Sequence, residues 1–331
     1  MARRRRNRSG RWLGILVILI GGGTAYWWFG GDSSSTESAT DGRSAIPLTS
    51  DRPDTAPPDG GPNGDVPERG SDPSDPDGSL RGDPQKGRAL ATAARKALQN
   101  GEFVAARAQL GEALQYELPL NELVQARADA ARVASETIFS SRILPDDPYV
   151  VSHTIQPGET LGKIAKEYAV TSDFLARING IADKNRIRAG QRIKVVRGPF
   201  TVVVTKAEYS LDLYLHGTFV KHYTVGLGAE DGTPTGRWRV QDKLKNPQYY
   251  PPRGGQIILA DDPDNPLGER WIGLEGIEGE AAGQKRYGIH GTVVPDSIGK
   301  SVSMGCIRMY NPDVEELFDV LVEQKSEVTV R

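Results

Sequence analysis

Between Gly30 and Asp83 the chain is built from Asp, Pro, Gly and Ser, with almost no bulky apolar side chain. Such a stretch cannot bury enough apolar surface to offset the entropy lost on ordering it, so residues 30–83 read as a disordered linker. Treated as a flexible coil of roughly fifty residues, it has a root-mean-square span of about 40 Å. This break divides the 331-residue chain into a short head and a long C-terminal part, and the compact domains must lie in the latter.

In the head, Arg3, Arg4, Arg5, Arg6, Arg8 and Arg11 precede an apolar run from Trp12 to Phe29. At the helical rise this run spans about 27 Å, near the hydrocarbon thickness of a bilayer. Positive charge stays on the cytoplasmic side. Residues 1–11 are therefore expected to be a cytoplasmic basic tail, 12–29 a single-pass transmembrane anchor, and the remainder extracytoplasmic, in the periplasm or cell wall. A cleavable signal peptide is the rival reading, but the run closes on Tyr26, Trp27 and Trp28 and shows no small-x-small site. The formal net charge of −2 argues against a general polyanion binder, so no nucleic-acid partner is expected.

Helical periodicity follows the linker over 84–146. Asp83-Pro84 is a start signal, and Leu90, Ala94, Ala97 and Leu98 share a face that ends at Asn100-Gly101. Phe103, Ala106, Leu110, Ala113 and Leu114 form a second stripe, and Leu123, Ala130, Val133, Ala134 and Ile138 a third. The Asn100–Phe103 junction is similar to a tetratricopeptide-type hairpin. It implies either a docking site for a protein partner or a spacer holding the later domains off the membrane.

Cys306 is the chain's single cysteine, within Ser303-Met304-Gly305-Cys306-Ile307-Arg308-Met309. It cannot form an internal disulfide, so it serves packing or thiolate chemistry. Gly305 allows close backbone approach, while Ser303 and Arg308 place a hydroxyl and a fixed cation near the sulfur. Such neighbours lower a thiol's pKa from about 8.5 toward neutrality. Among the four histidines, His290 ends an apolar approach through Tyr287 and Ile289 that reads as a strand, before Gly291-Thr292 turns the chain. It is the candidate proton acceptor, with a structural strand-end role as the plain alternative. His153, His216 and His222 are scattered, and with one thiol no metal site is expected, nor any cofactor.

Elsewhere in the C-terminal part, Thr201–Thr205 is β-branched, and Leu211, Leu213 and Leu215 alternate. His216-Gly217 turns the chain into Phe219, Lys221, Tyr223 and Val225. This predicts a mainly β domain, a sandwich or irregular barrel, with His216 in a turn and His222 exposed on a strand. Asn311-Pro312-Asp313 reads as an N-cap and helix start, with Val314, Leu317, Phe318, Leu321 and Val322 as the buried stripe.

Ile289-His290-Gly291-Thr292, followed by Ser303-x-Gly305-Cys306-Ile307-Arg308-Met309-x-Asn311, resembles the signature of YkuD-type L,D-transpeptidases. Gly232-Thr233-Pro234-Thr235-Gly236 with Arg237-Trp238 is similar to that family's Thr-Pro-x-Gly turn, so the likeness extends over 199–331. It implies a cysteine acyltransferase that joins peptidoglycan stem peptides through a thioester. Cys306 would attack the third-position diamino acid carbonyl, His290 would shuttle the proton, and the Gly291 carbonyl would orient the imidazole. The Gly305 and Cys306 N–H groups would hold the oxyanion. Arg308, Ser303, Tyr287 and Thr292 are the candidate substrate contacts. Arg308 could instead form a structural salt bridge, and Ser303 could cap the loop. Many family members carry a second histidine where this chain has Met304. The resemblance also implies acylation by carbapenems. Alternatives are an L,D-carboxypeptidase, in which water resolves the acyl-enzyme, and a non-catalytic wall-binding protein.

A second likeness precedes this one. His153-Thr154-Ile155-Gln156-Pro157-Gly158-Glu159-Thr160-Leu161, then Ile178-Asn179-Gly180 and Ala189-Gly190-Gln191-Arg192-Ile193, resembles a LysM module over 150–197. It implies a strand, two short helices and a strand, with glycan strands as partners. Gly158, Glu159, Thr160, Leu161 and Ile187 are the candidate glycan contacts, unless they simply hold the small module together. Joined to a catalytic domain, even weak glycan affinity raises the effective substrate concentration.

Overall fold

The computed structural model describes residues 81–251 and 254–331. The basic tail, the apolar run and nearly all of the linker lie outside them. Among the described residues no helix is long and apolar enough to cross a membrane.

Three helices come first: α1 (Pro84–Gln99), α2 (Phe103–Ala113) and α3 (Leu120–Thr137). Asp83 starts α1 by accepting the Lys86 N–H at 3.1 Å, with Pro84 at the first helical position, where its missing N–H costs nothing. Ala94, Ala97, Ala106, Leu110, Ala126, Ala130 and Val133 close a small core between the helices.

The next module runs β1 (Val150–Thr154), α4 (Leu161–Glu167), α5 (Ser172–Ile178) and β2 (Arg192–Val196). The strands pair antiparallel from Val150↔Val196 to Thr154↔Arg192. Thr160 and Thr171 cap the two helices, their hydroxyls accepting from Lys163 N–H and Phe174 N–H.

The last region contains β3 (Phe200–Thr205), β4 (Ser210–Leu215), β5 (Thr218–Thr224), β6 (Leu227–Gly228), β7 (Gly236–Lys245), β8 (Arg270–Glu278), β9 (Tyr287–His290), β10 (Ser301–Ser303), β11 (Ile307–Arg308), α6 (Asn311–Val320) and β12 (Glu327–Val330). It is mainly β, as the turn pattern predicts. Among the described residues the strands are joined mostly in one hydrogen-bonded ladder. Eight of them form one mixed ladder, ordered β11-β9-β8-β7-β12-β3-β4-β5, while β6 and β10 pair apart from it. The join is β12, parallel to β3 on one side and antiparallel to β7 on the other. Hairpin signals report neighbours in sequence, and so are silent about a C-terminal strand entering mid-sheet.

The helical segment is not a free spacer. Phe219 of β5 belongs to its core, and a Cβ on Gly111 of α2 would lie 2.9 Å from the Thr218 methyl group. Buried Arg107 of α2 pairs bidentately with buried Asp147, at 2.6 and 2.9 Å, with its guanidinium over the Tyr149 ring. Arg127 of α3 reaches Asp212 of β4 at 3.0 Å, and the other Asp212 oxygen lies 2.6 Å from His222 Nδ1. His222 is thus part of a docking cluster rather than an idle strand residue. His216 does occupy the turn, at φ 48°. Lys194 of β2 is buried and donates to the carbonyls of Thr137 and Ser140, anchoring the second module to the end of α3.

Candidate active site

β9 and β11 are parallel neighbours, with Ile289 opposite Ile307 and His290 opposite Arg308. Both isoleucines are buried in the core, and strand alternation turns His290 and Arg308 to the other face. One residue before β11, Cys306 comes alongside β9, and the Gly288 N–H reaches its sulfur. Arg308 is close enough for its charge to act on both the imidazole and the thiol. The thiol points at the Arg286 carbonyl, 3.9 Å from Sγ, and among the described residues no hydrogen bond joins it to the imidazole.

His290 is buried, with Nδ1 2.6 Å from the Gly291 carbonyl oxygen. A carbonyl only accepts, so Nδ1 carries the proton and Nε2 keeps a lone pair. Burial drives the imidazole pKa down to about 4; the Gly291 carbonyl opposes this and the Arg308 charge adds to it. Burial likewise raises the Cys306 thiol pKa, against the Gly288 N–H and Arg308. This corrects the expectation of a thiol already lowered toward neutrality. The named partners are present, but desolvation outweighs them, so a neutral thiol rests beside a neutral base.

Ser303 is buried within the loop. Its hydroxyl donates to the Cys306 carbonyl at 2.6 Å and accepts the Gly305 N–H at 3.1 Å. It staples the loop, as the capping reading expects, and it engages one of the two expected oxyanion donors, leaving the Cys306 N–H. Gly305 sits at φ 129°, where a Cβ would come within 2.7 Å of the Tyr287 ring and 2.8 Å of the Gly232 carbonyl. Tyr287 itself packs against Trp238, centroids 5.1 Å apart, wedged beneath the loop. Thr233 completes the clamp, accepting from Gly228 N–H and donating to the Gly305 carbonyl, both at 2.9 Å. Ser303→Ala removes both loop bonds and is expected to lower stability by about 1–3 kcal/mol, measured by thermal unfolding.

Thr292 is buried and closes a local turn, its hydroxyl accepting the Val294 N–H at 3.0 Å. Its own N–H donates to Asn311 Oδ1 at 3.0 Å. That contact corrects the reading of Asn311 as a helix cap: Tyr310 precedes α6 without a side-chain cap, and Asn311 ties the helix to the turn after His290. Arg308 forms no ion pair among the described residues, and its buried Nε has no partner, which removes the salt-bridge reading. Met304, in place of a second histidine, is exposed beside exposed Val302.

In the smaller module, Leu161 is 1% exposed and belongs to the core, so it cannot touch a glycan. Ile187 packs partly buried against the same core. The Glu159 carboxylate is engaged by His153 Nε2 at 2.9 Å and the Gln156 N–H at 2.7 Å. Gly158 and Thr160 remain exposed. Thr233 lay in the turn that the sequence singled out, though not its role as a clamp. Two residues around the cysteine and histidine carried no sequence signal, Gly288 as a donor to sulfur and Trp271, stacked on the His290 ring at 5.9 Å and 23°.

The sequence profile described as the L,D-transpeptidase catalytic domain matches residues 199–330, and that of the LysM domain matches 153–196. The chain is 33% identical over 179 residues to the Bacillus licheniformis protein YkuD, an L,D-transpeptidase by name, covering 52% of this chain and 94% of that one. With YkuD of Bacillus subtilis it shares 31% identity over 180 residues, covering 52% of this chain and 94% of that one. With YqjB of Bacillus subtilis, also an L,D-transpeptidase by name, it shares 42% over 123 residues, covering 36% and 65%.

Proposed function

The chain belongs to the YkuD-type L,D-transpeptidases, a family of peptidoglycan-acting cysteine acyltransferases, and from that premise we propose that it joins third-position residues of stem peptides through a Cys306 thioester. The observation that carries this reading is the placement of Cys306, a proton-free His290 Nε2 and an ion-pair-free Arg308 around adjoining strands.

The thiol proton passes to His290 Nε2 as sulfur forms a bond to the third-position carbonyl carbon. The Cys306 N–H receives the developing oxyanion. The imidazolium then protonates the departing nitrogen, the carbon–nitrogen bond breaks, and D-alanine leaves. An amine from a second stem attacks the thioester, forming the new amide and releasing the thiol. Arg308, which has no acidic partner among the described residues, is matched to a stem carboxylate. The exposed apolar residues Val293, Val294, Val302 and Met304 flank the two catalytic segments and favour an amine over water as acceptor. The LysM module contributes glycan contact through its exposed Gly158–Thr160 turn. The basic tail and apolar run support anchoring in a membrane, with both domains on the extracytoplasmic side.

The test incubates purified protein with stem tetrapeptides and reads products by mass spectrometry, beside Cys306→Ala. Dimers that have lost D-alanine are expected. Tripeptides alone would convert the reading to hydrolysis, and no Cys306-dependent product would overturn it. Carbapenem adducts on Cys306 are expected by the same measurement.

A further inference from the structure

Trp271, the second residue of β8, lies directly opposite His290 of β9. The rings are stacked, with centroids 5.9 Å apart and planes at 23°. The indole fits there because Gly288 has no side chain: a Cβ on Gly288 would lie 2.6 Å from Trp271 Cη2 and 2.7 Å from Cζ2. The far edge of the indole is also held. Trp271 Nε1–H donates to Asp242 Oδ1 at 3.2 Å. Asp242 is exposed on β7, and it is aimed by a bulge. The pairing passes from Val240↔Leu274 to Asp242↔Gly273, leaving Gln241 as the extra residue. Gly273 makes room for the carboxylate, since a Cβ there would lie 2.6 Å from Asp242 Oδ1. Two glycines and a bulge therefore converge on one indole, and the indole on the imidazole.

We propose that Trp271 is a positioning residue for His290, seated by Asp242, and that its face stabilises the imidazolium formed as Cys306 loses its proton. This rests on the acyl-transfer reading above. The charged and titratable groups around the imidazole are Cys306 and Arg308 from the β11 side, Asp242 from β7 through the indole, and Arg270 of β8 paired with Glu315 of α6 at 3.2 Å. Arg308 opposes a positive imidazole. A ring face attracts one, and does so more strongly where water is excluded. The stack also fixes the plane of the imidazole, so Nε2 keeps one direction while Nδ1 remains on the Gly291 carbonyl.

The experiment follows acylation of Cys306 by a carbapenem in the full chain, by intact mass, against pH. Wild type, Trp271→Leu, Trp271→Phe and Asp242→Ala are compared, with folding checked by circular dichroism. Trp271→Leu is expected to slow acylation about tenfold, and Trp271→Phe, which keeps a ring face, to recover most of that rate. In the leucine variant the ring face that favours the charged imidazole is lost but water reaches it, and because desolvation is the larger influence the acid limb moves from about pH 4 toward the ordinary histidine value of 6.5. Asp242→Ala, a surface change that frees the far edge of the indole, is expected to slow the reaction about threefold. A leucine variant that matches wild type in rate and limb overturns the proposal. Should that variant not fold, an unchanged Asp242→Ala overturns it. A wild-type chain that takes no adduct at Cys306 would instead remove the acyl-transfer reading itself.

Discussion

Replacing His290 with alanine is expected to slow Cys306 acylation by about a thousandfold at neutral pH, within the range of a lost general base. The profile should change shape as well as height. In the intact protein the neutral imidazole is the active form, and burial keeps it neutral down to about pH 4, so activity should stay level until that point. Without the base, only molecules whose thiol has already ionised can react. Burial raises that pKa, so the variant's rate should climb about tenfold per pH unit well into the alkaline range. Intact-mass kinetics across pH distinguishes the two shapes. A variant as level as wild type would mean that another group takes the proton. The same burial predicts a stability effect. An unfolded chain binds the proton near 6.5 and the folded one only near 4, so between these values the unfolded state holds more protons. Stability present above pH 6.5 is then lost as pH falls, by about 3 kcal/mol at pH 4, and His290→Ala removes that slope.

How much of this could be read from the chain follows from the range of each interaction. His290 and Cys306 were legible because the motif is local, and the apolar Ile289 and Ile307 that flank them mark the strands. The strand-helix-helix-strand order of the LysM module was legible for the same reason. The direction of the pKa shifts was not: Ser303, Arg308 and Gly305 name the electrostatic partners, but desolvation depends on packing from β8, α6 and the Thr233 turn. The role of Ser303 turned on which of two acceptors its hydroxyl would meet, and only the loop's closure decides that. Trp271 lay in an ordinary strand pattern, and nothing in its neighbours announces that the residue opposite is the histidine. Asn311 matched a helix start, yet its side chain turns to Thr292 across the strand. Each of these is a tertiary contact between segments that local pattern treats separately.

The helical segment makes the same point at larger scale, and a single carboxylate tests it. Arg107 of α2 is buried, and its charge is met by Asp147, forty residues away in sequence, which also accepts the Tyr149 N–H just before β1. Tyr149 in turn covers the guanidinium and bonds the Thr218 hydroxyl at the start of β5 at 2.7 Å. One ion pair thus joins the helices, the LysM module and the catalytic sheet. Asp147→Ala leaves a guanidinium buried without a counter-charge, which costs about 3–5 kcal/mol. Chemical denaturation should show a lower midpoint, and native-state hydrogen exchange should rise in α2 and β1 together. If the helices were merely a spacer, exchange would rise in α2 alone. Arg107→Leu with Asp147→Leu removes both charges, and is expected to recover most of the loss, because an apolar pair of similar volume has no unpaired charge to bury. A double variant as unstable as the single one would show that packing by the two side chains, and not their opposite charges, holds the three parts together.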